Sequence, residues 1–375
     1  MATSQARLAE LFRFFSRLGL TAFGGPATHI ALMEHESVEQ RGWLTRDQFL
    51  DLVGACNLLP GPSSTQVAMA LGYTRAGWPG LTIAGICFIL PASILTFALA
   101  WAYVRYGSLP QAQGLLYGAK PVMIAIIAQA IWRLGRMALR RWLLALVGLA
   151  CFAAILAGAQ PLPVLLGAGA LLALFATARR TRSNRVRSLG VLPLALGAAV
   201  PATASLLSIV LVFLKLGVVV FGSGYVLLAF LQTDLVDRLH WVTQSQLLDA
   251  VTAGQITPGP VFATATFLGY LIRGYRGAAA ATAAIFLPSF FMAGAVGMLA
   301  TRMRQSPLAA AFLDGVNAAA IALMAAVAIA LGRATLVDAV TWIIALISAA
   351  LLIRYKVNAT WLIIGGAALG ILLKH

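Results

Sequence analysis

Apolar residues fall in long unbroken runs separated by short polar, arginine-rich intervals. The clearest runs are 81–104, 142–159, 161–178, 278–300 and 336–353, with weaker ones at 121–132, 318–331 and 361–373. A helix needs roughly 20 apolar residues to cross about 30 Å of hydrocarbon. These runs are rich in Ala and Leu and do not alternate, so they predict spanning helices and not the strands of a barrel. The expected fold class is an all-α polytopic membrane protein.

Two stretches carry the same polar and helix-breaking residues in the same order. Phe23-Gly24-Gly25, Trp43, Thr45, Gln48, Asp51 and Pro60-Gly61-Pro62 are matched 198 residues later, without a gap. Their counterparts are Phe221-Gly222-Ser223, Trp241, Thr243, Gln246, Asp249 and Pro258-Gly259-Pro260. Beyond the Pro-Gly-Pro elements the offset becomes 197, pairing Gly72 with Gly269, Pro91 with Pro288 and Gly118 with Gly315. A spaced set of this kind marks an internal duplication. It divides the chain into a first transmembrane repeat at 1–178, an Arg-rich cytoplasmic linker and connecting segment at 179–204, and a second repeat at 205–375.

Composition agrees with this picture: 61% of residues are apolar and 10% charged. The formal charge of +16 comes from arginines lying between apolar runs. That placement follows the positive-inside rule and offers no soluble basic face to nucleic acid. Arg133, Arg136, Arg140 and Arg141 precede a hairpin of two runs, and Arg179, Arg180, Arg182, Arg185 and Arg187 follow it, so both clusters are expected in the cytoplasm. In the second half the charges tie. Arg302, Arg304, Arg354 and Lys356 inside would make the halves inverted, while Arg273, Arg276, Arg333 and Lys374 inside would make them parallel. Broken helices in transporters often come with inverted repeats, which favours that arrangement. Residues 1–10 show no cleavable signal and are expected to be retained. Cys56, Cys87 and Cys151 lack the spacing of a disulfide framework, metal site or redox pair.

The repeated residues are mostly helix breakers. Phe23-Gly24-Gly25-Pro26 interrupts the apolar stretch 11–33, and Phe221-Gly222-Ser223-Gly224 interrupts 209–231. Pro removes a backbone donor and Gly costs about 1 kcal/mol in a helix interior, so each site should end or kink its helix. Such breaks serve either helix packing or a substrate cavity. In 51–73 each arm around Pro60-Gly61-Pro62 is too short to span the bilayer alone, which predicts a re-entrant hairpin; an extramembrane turn is the other reading. A hairpin tip would present a helix N-terminus with Ser63, Ser64 and Thr65 as caps, and such an end favours anions. Asn57 and Gln255 precede the two tips.

Arg17 and Lys215 also match, each six residues before its Phe-Gly. A cation inside an apolar helix costs roughly 2.5–3.5 kcal/mol, so it either serves an anion in the pathway or snorkels to headgroups. Asp51 and Asp249 are candidate coupling carboxylates or helix caps. His29 is a candidate titrating group, but Leu227 is its counterpart. Glu34, His35 and Glu36 read as part of a solvated loop, so no metal site is expected. No nucleotide loop, nucleophile elbow or zinc-helix motif is present, so neither an ATPase nor a hydrolase is supported.

Phe-Gly-Gly-Pro-Ala-Thr-His29, Asn57-Leu-Leu-Pro-Gly-Pro62, Phe-Gly-Ser-Gly-Tyr225 and Thr-Pro-Gly-Pro260 together resemble the signatures of the chromate ion transporter family. The likeness covers nearly the whole chain and is to the long, two-domain bacterial form. It implies a secondary transporter of the bacterial inner membrane that exports chromate without ATP, with sulfate as a structural analogue. It also implies opposite orientations for the halves. Carried over residue by residue, it marks Phe23, Gly24, Gly25, Pro26, Pro60, Gly61, Pro62, Phe221, Gly222, Pro258, Gly259 and Pro260, with Arg17 and Lys215. The second half departs at Gly224 and Leu227, which predicts unequal contributions to one site. The expected partners are chromate or sulfate and the lipid bilayer, with a homodimer as a further option and no cofactor. The rival functions are a sulfate or other oxyanion permease and a membrane enzyme acting on lipid phosphates.

Overall fold

In the computed structural model the described residues are 4–139, 141–180, 204–221, 224–303, 307–355 and 357–373. Gly222 and most of the predicted linker (181–203) lie outside them, as do Arg140, Arg304, Lys356 and Lys374. Among the described residues each half holds seven α-helices in the same order. The first holds α1 (Ser4–Thr21), α2 (Pro26–Glu34), α3 (Arg46–Asn57), α4 (Ser63–Tyr106), α5 (Pro110–Ala138), α6 (Trp142–Leu156) and α7 (Pro161–Arg180). The second holds α8 (Leu206–Val219), α9 (Gly224–Leu231), α10 (Gln244–Ile256), α11 (Thr264–Met303), α12 (Pro307–Thr335), α13 (Ala339–Arg354) and α14 (Ala359–Leu373). Wide helical turns at His35–Gln40 and Gln232–Arg238 extend α2 and α9.

The repeated Thr and Gln are reciprocal caps. Thr45 Oγ1 accepts from the Gln48 backbone N–H while Gln48 Oε1 accepts from the Thr45 N–H at 2.9 Å. Thr243 and Gln246 repeat this arrangement at the start of α10. Each such cap is worth about 1 kcal/mol and fixes where the helix before the Pro-Gly-Pro tip begins.

The long helices α4 and α11 are each two helices. Ala76 and Gly77 leave helical geometry in α4, with Gly77 at φ +62°, and Arg273 and Gly274 do the same in α11, with Gly274 at φ +60°. Glycine adopts that conformation without strain. The chain folds back there so tightly that Gly72 touches Gly80, and Gly269 touches Gly277, with no room for a side chain at any of the four. The short arm 63–75 is about 20 Å long and α3 about 18 Å, at 1.5 Å per residue. The long arm 78–106 reaches about 43 Å.

Among the described residues four segments are long and apolar enough to cross a membrane: Ser63–Tyr106, Pro110–Ala138, Val261–Val296 and Ala310–Thr335. In α4 that length belongs to the long arm after Gly77.

Equivalent helices run in opposite directions. Trp78, at the start of the long arm of α4, lies against Gly294 late in α11, and Gly85 lies against Phe290. The halves are therefore inverted, which resolves the tie left by the charges. They also exchange their last hairpins: α5 packs on α13 and α14 of the other half, while α12 packs on α6 and α7. Close approach makes this possible. Gly118 sits against the Gly366 backbone and Gly315 against that of Ala168, closer than any Cβ would allow.

Candidate anion site

Each Pro-Gly-Pro tip lies on the helix break of the opposite half. The Gly61 N–H donates to the Val220 carbonyl at 2.6 Å, and Pro60 bridges to Phe221 in an antiparallel step. The Gly259 N–H donates to the Ala22 carbonyl at 2.9 Å. Both tip glycines have positive φ, +111° at Gly61 and +91° at Gly259. Their α-carbons face equivalent surroundings: Gly217 O and Ser289 for Gly61, Gly19 O and Ala92 for Gly259. Gly61, Pro62, Pro258, Gly259 and Pro260 are all buried. Buried backbone groups need partners, and here the break of one half and the tip of the other satisfy each other.

Around this crossing the two halves differ. α4 begins directly after the first tip with Pro62 as N-cap and no side-chain cap. Ser63, Ser64 and Thr65 follow, all buried. The Thr65 Oγ1 hydroxyl has no hydrogen-bond partner, nor do Gln66 Oε1 and Ser289 Oγ beside the tip, among the described residues. Gln66 Nε2 donates to the Pro60 carbonyl at 2.5 Å, which holds the tip closed. The second tip leads into Val261, Phe262 and Ala263, an apolar turn. Gln255 Nε2 has no partner among the described residues, whereas Asn57 is exposed.

His29 joins the parts. Its Nε2 lies 3.1 Å from the Ala22 carbonyl, the same oxygen that receives the Gly259 N–H, and its Nδ1 lies 3.4 Å from Ser64 Oγ. A carbonyl only accepts, so Nε2 carries the proton and Nδ1 accepts from the serine. One buried imidazole thus connects the break of its own half, the tip of the other and the first turn of α4. Leu227 cannot do this. Gly224, where the first half has Pro26, places its α-carbon so that a Cβ would stand 3.1 Å from Val261. Phe23 and Phe221 are half-buried beside their breaks, and Gly24 and Gly25 take φ of +104° and +79°.

The structure gives the cations acidic partners, which the sequence reading did not assign. Lys215 Nζ donates to Asp234 Oδ1 at 3.0 Å and Oδ2 at 2.7 Å, and Arg238 joins at 3.2 Å. Arg17 pairs with Glu36, the repeat equivalent of Asp234, and its side chain is 62% exposed. Each pair ties the helix before a break to the turn after it. The signal was in the sequence, because Glu36 and Asp234 also sit 198 apart. Asp51 is half-buried on α3. Asp249 is buried on α10 and is held by Lys120 Nζ at 3.1 Å and the Tyr103 hydroxyl at 3.0 Å. Sequence reasoning missed Lys120 because its repeat equivalent is Asn317.

The family model described as "Chromate transporter" matches this chain twice, at residues 9–174 and 207–371. A chromate transport protein of Cupriavidus metallidurans is 34% identical over 370 residues, 96% of this chain and 92% of that protein. One from Pseudomonas aeruginosa is 32% identical over 341 residues, 87% of this chain and 81% of its own length. An uncharacterized Bacillus subtilis transporter, YwrA, is 33% identical over 125 residues, 33% of this chain and 70% of its own length. No solved structure matches. With both halves matched separately and one relative aligned nearly end to end, the chain belongs to the chromate transporter family of multi-pass membrane transporters.

Proposed function

We propose that the protein exports chromate across the bacterial inner membrane, binding the dianion where the two tips cross. The observation that carries this reading is the reciprocal bond pair, Gly61 N–H to Val220 O and Gly259 N–H to Ala22 O. It joins two inverted halves at two equivalent places by non-helical backbone, linked on one side by His29, and in transporters such breaks are where substrates bind. The arms of α3 and 63–75 are too short to span alone, so the hairpins are read as re-entrant, with their tips near the midplane.

The donors for the anion are the uncapped first turn of α4 with Ser63 and Thr65, together with Gln255 from the second half, and Ser64 joins them when its hydroxyl turns from His29 to the anion. Arg17 and Lys215 supply positive potential one to two turns from the breaks. In this reading they act through Glu36 and Asp234, which the anion would compete with and need not replace. His29 is the candidate coupling group nearest the crossing, and Asp51 and Asp249 each stand nine residues before a tip. Rocking of one inverted half against the other would alternate access.

Reconstitution tests this directly. Purified protein in liposomes should carry chromate, and sulfate should compete, because N–H dipoles and hydroxyls distinguish two tetrahedral dianions poorly. Thr65→Val keeps the shape and removes the unpartnered hydroxyl; it should lower flux several-fold. Absence of chromate flux in the wild-type protein would end the proposal, and unchanged flux in Thr65→Val would remove the tip as the site.

A further inference from the structure

Beside the start of α10, a cavity of about 380 Å³ opens between the halves. Tyr103, Gln113, Tyr117 and Lys120 of the first half line it, with Ser245, Asp249 and Thr335 of the second. Nearly every polar group there is a hydrogen-bond donor, and protein carboxylates occupy the donors. Lys120 Nζ pairs with Asp249 and donates to Ser245 Oγ at 2.7 Å, Tyr103 donates to Asp249, and Tyr117 donates to Asp338 at 2.7 Å. The Thr335 hydroxyl, on a residue only 7% exposed, has no partner among the described residues. All three of these contacts to carboxylates cross from one half to the other. At the repeat-equivalent place Asn317 stands for Lys120 and Asp51 for Asp249, so the repeat does not double this lysine.

We propose that this cavity is a second anion station, in which the tetrahedral oxyanion takes the place of Asp249 on Lys120. The inference rests on the transport function above. A site already built to hold carboxylate oxygens with a lysine, two phenols and hydroxyls fits a tetrahedral oxyanion by the same chemistry. The cavity is large enough for the anion with several waters. From Asp249, α10 runs about 13 Å to the second tip, so the station stands on the way to the crossing. Binding there also breaks the cross-half pair, which loosens the halves at the cavity when substrate arrives.

The test is equilibrium binding of radiolabelled chromate to the full-length protein in nanodiscs, with flux measured in liposomes. Asp249→Asn removes the competing carboxylate and should tighten chromate binding at this station at least about tenfold, the change expected from losing one charged hydrogen-bond acceptor. Lys120→Gln should abolish binding there and leave binding at the crossing. The neutral double variant Lys120→Gln with Asp249→Asn buries no lone charge and should stay folded, yet carry chromate at least about tenfold more slowly. Wild-type flux in the double variant would show that the pair only holds the halves together and would overturn the proposal. So would identical isotherms for Asp249→Asn and the wild type. If the wild-type protein binds and carries no chromate, the transport reading fails and this inference with it.

Discussion

Gly259→Ala is the sharpest test of the crossed tips. The substitution forces a side chain onto φ +91°, a conformation costing a non-glycine residue roughly 1–3 kcal/mol. The new methyl would also lie 2.8 Å from the Ala92 Cβ and 3.3 Å from the Gly19 carbonyl. Neither neighbour can rotate away, so overpacking adds roughly another 1–3 kcal/mol. The expected loss, roughly 2–6 kcal/mol, is a large share of the stability of an ordinary protein.

At Gly61 the strain is similar, but the nearest atoms are the Gln66 amide at 2.7 Å and the Ser289 hydroxyl at 3.2 Å, which can turn aside. Gly61→Ala should therefore fall at the lower end of that range. Gly135→Ala serves as control: it lies inside α5 with nothing within 4 Å of its Cβ position and should gain up to about 1 kcal/mol. Thermal unfolding in detergent, followed by tryptophan fluorescence, should rank Gly259→Ala least stable, then Gly61→Ala, then wild type. Adding Ala92→Gly should recover the packing part of the Gly259→Ala loss and leave the backbone part. If Gly259→Ala unfolds at the same temperature as Gly135→Ala, the tip does not sit on Ala22 and the crossing is wrong.

Two further outcomes follow from the same geometry. Lys215→Met strands the buried Asp234, whose side chain is 5% exposed, with Arg238 alone, and should cost roughly 3–5 kcal/mol; Arg17→Met at its exposed equivalent should cost under about 1 kcal/mol. Equal melting temperatures for the two variants would remove the distinction. His29→Leu, which copies the second half, gives up two neutral contacts worth about 1 kcal/mol each and should leave a folded protein whose chromate flux falls about tenfold. Undiminished flux would take His29 out of the pathway.

What the sequence could reveal was whatever repeats or breaks a helix. Apolar runs located the apolar helices, of which those at 142–156, 339–354 and 359–373 are shorter than a spanning length, and the spaced Phe-Gly, Thr/Gln and Pro-Gly-Pro sets located breaks, caps and tips. Direction came from the broken helices and the family resemblance, not from the charges, of which four argued each way, and the antiparallel contact of Trp78 with Gly294 agrees with it. Three things escaped. Partnership escaped because the Lys215–Asp234 bond joins residues 19 apart across a break, a distance at which no helical spacing rule applies. Lys120 escaped because reading by repeat keeps only what is doubled. The exchange of tips between halves was beyond reach for the same reason: a repeat shows which segments are alike, not which touch.

The doubled and undoubled residues divide by what they do. Gly19 and Gly217, Gly61 and Gly259, Gly72 and Gly269, Gly118 and Gly315 are doubled because each lets backbone approach backbone, or permits a positive φ, in both halves. Several side chains that face the crossing or the cavity are not doubled: His29 against Leu227, Ser63-Ser64-Thr65 against Val261-Phe262-Ala263, Lys120 against Asn317. In the mechanism proposed above, two identical inverted halves would give inward- and outward-facing states of equal free energy. A difference between those states can come only from residues that break the symmetry, and a ligand shifts the balance only through contacts that differ between them. The unequal residues are therefore where substrate preference and the balance of the two states must be set, and the glycine frame is what lets one geometry serve both.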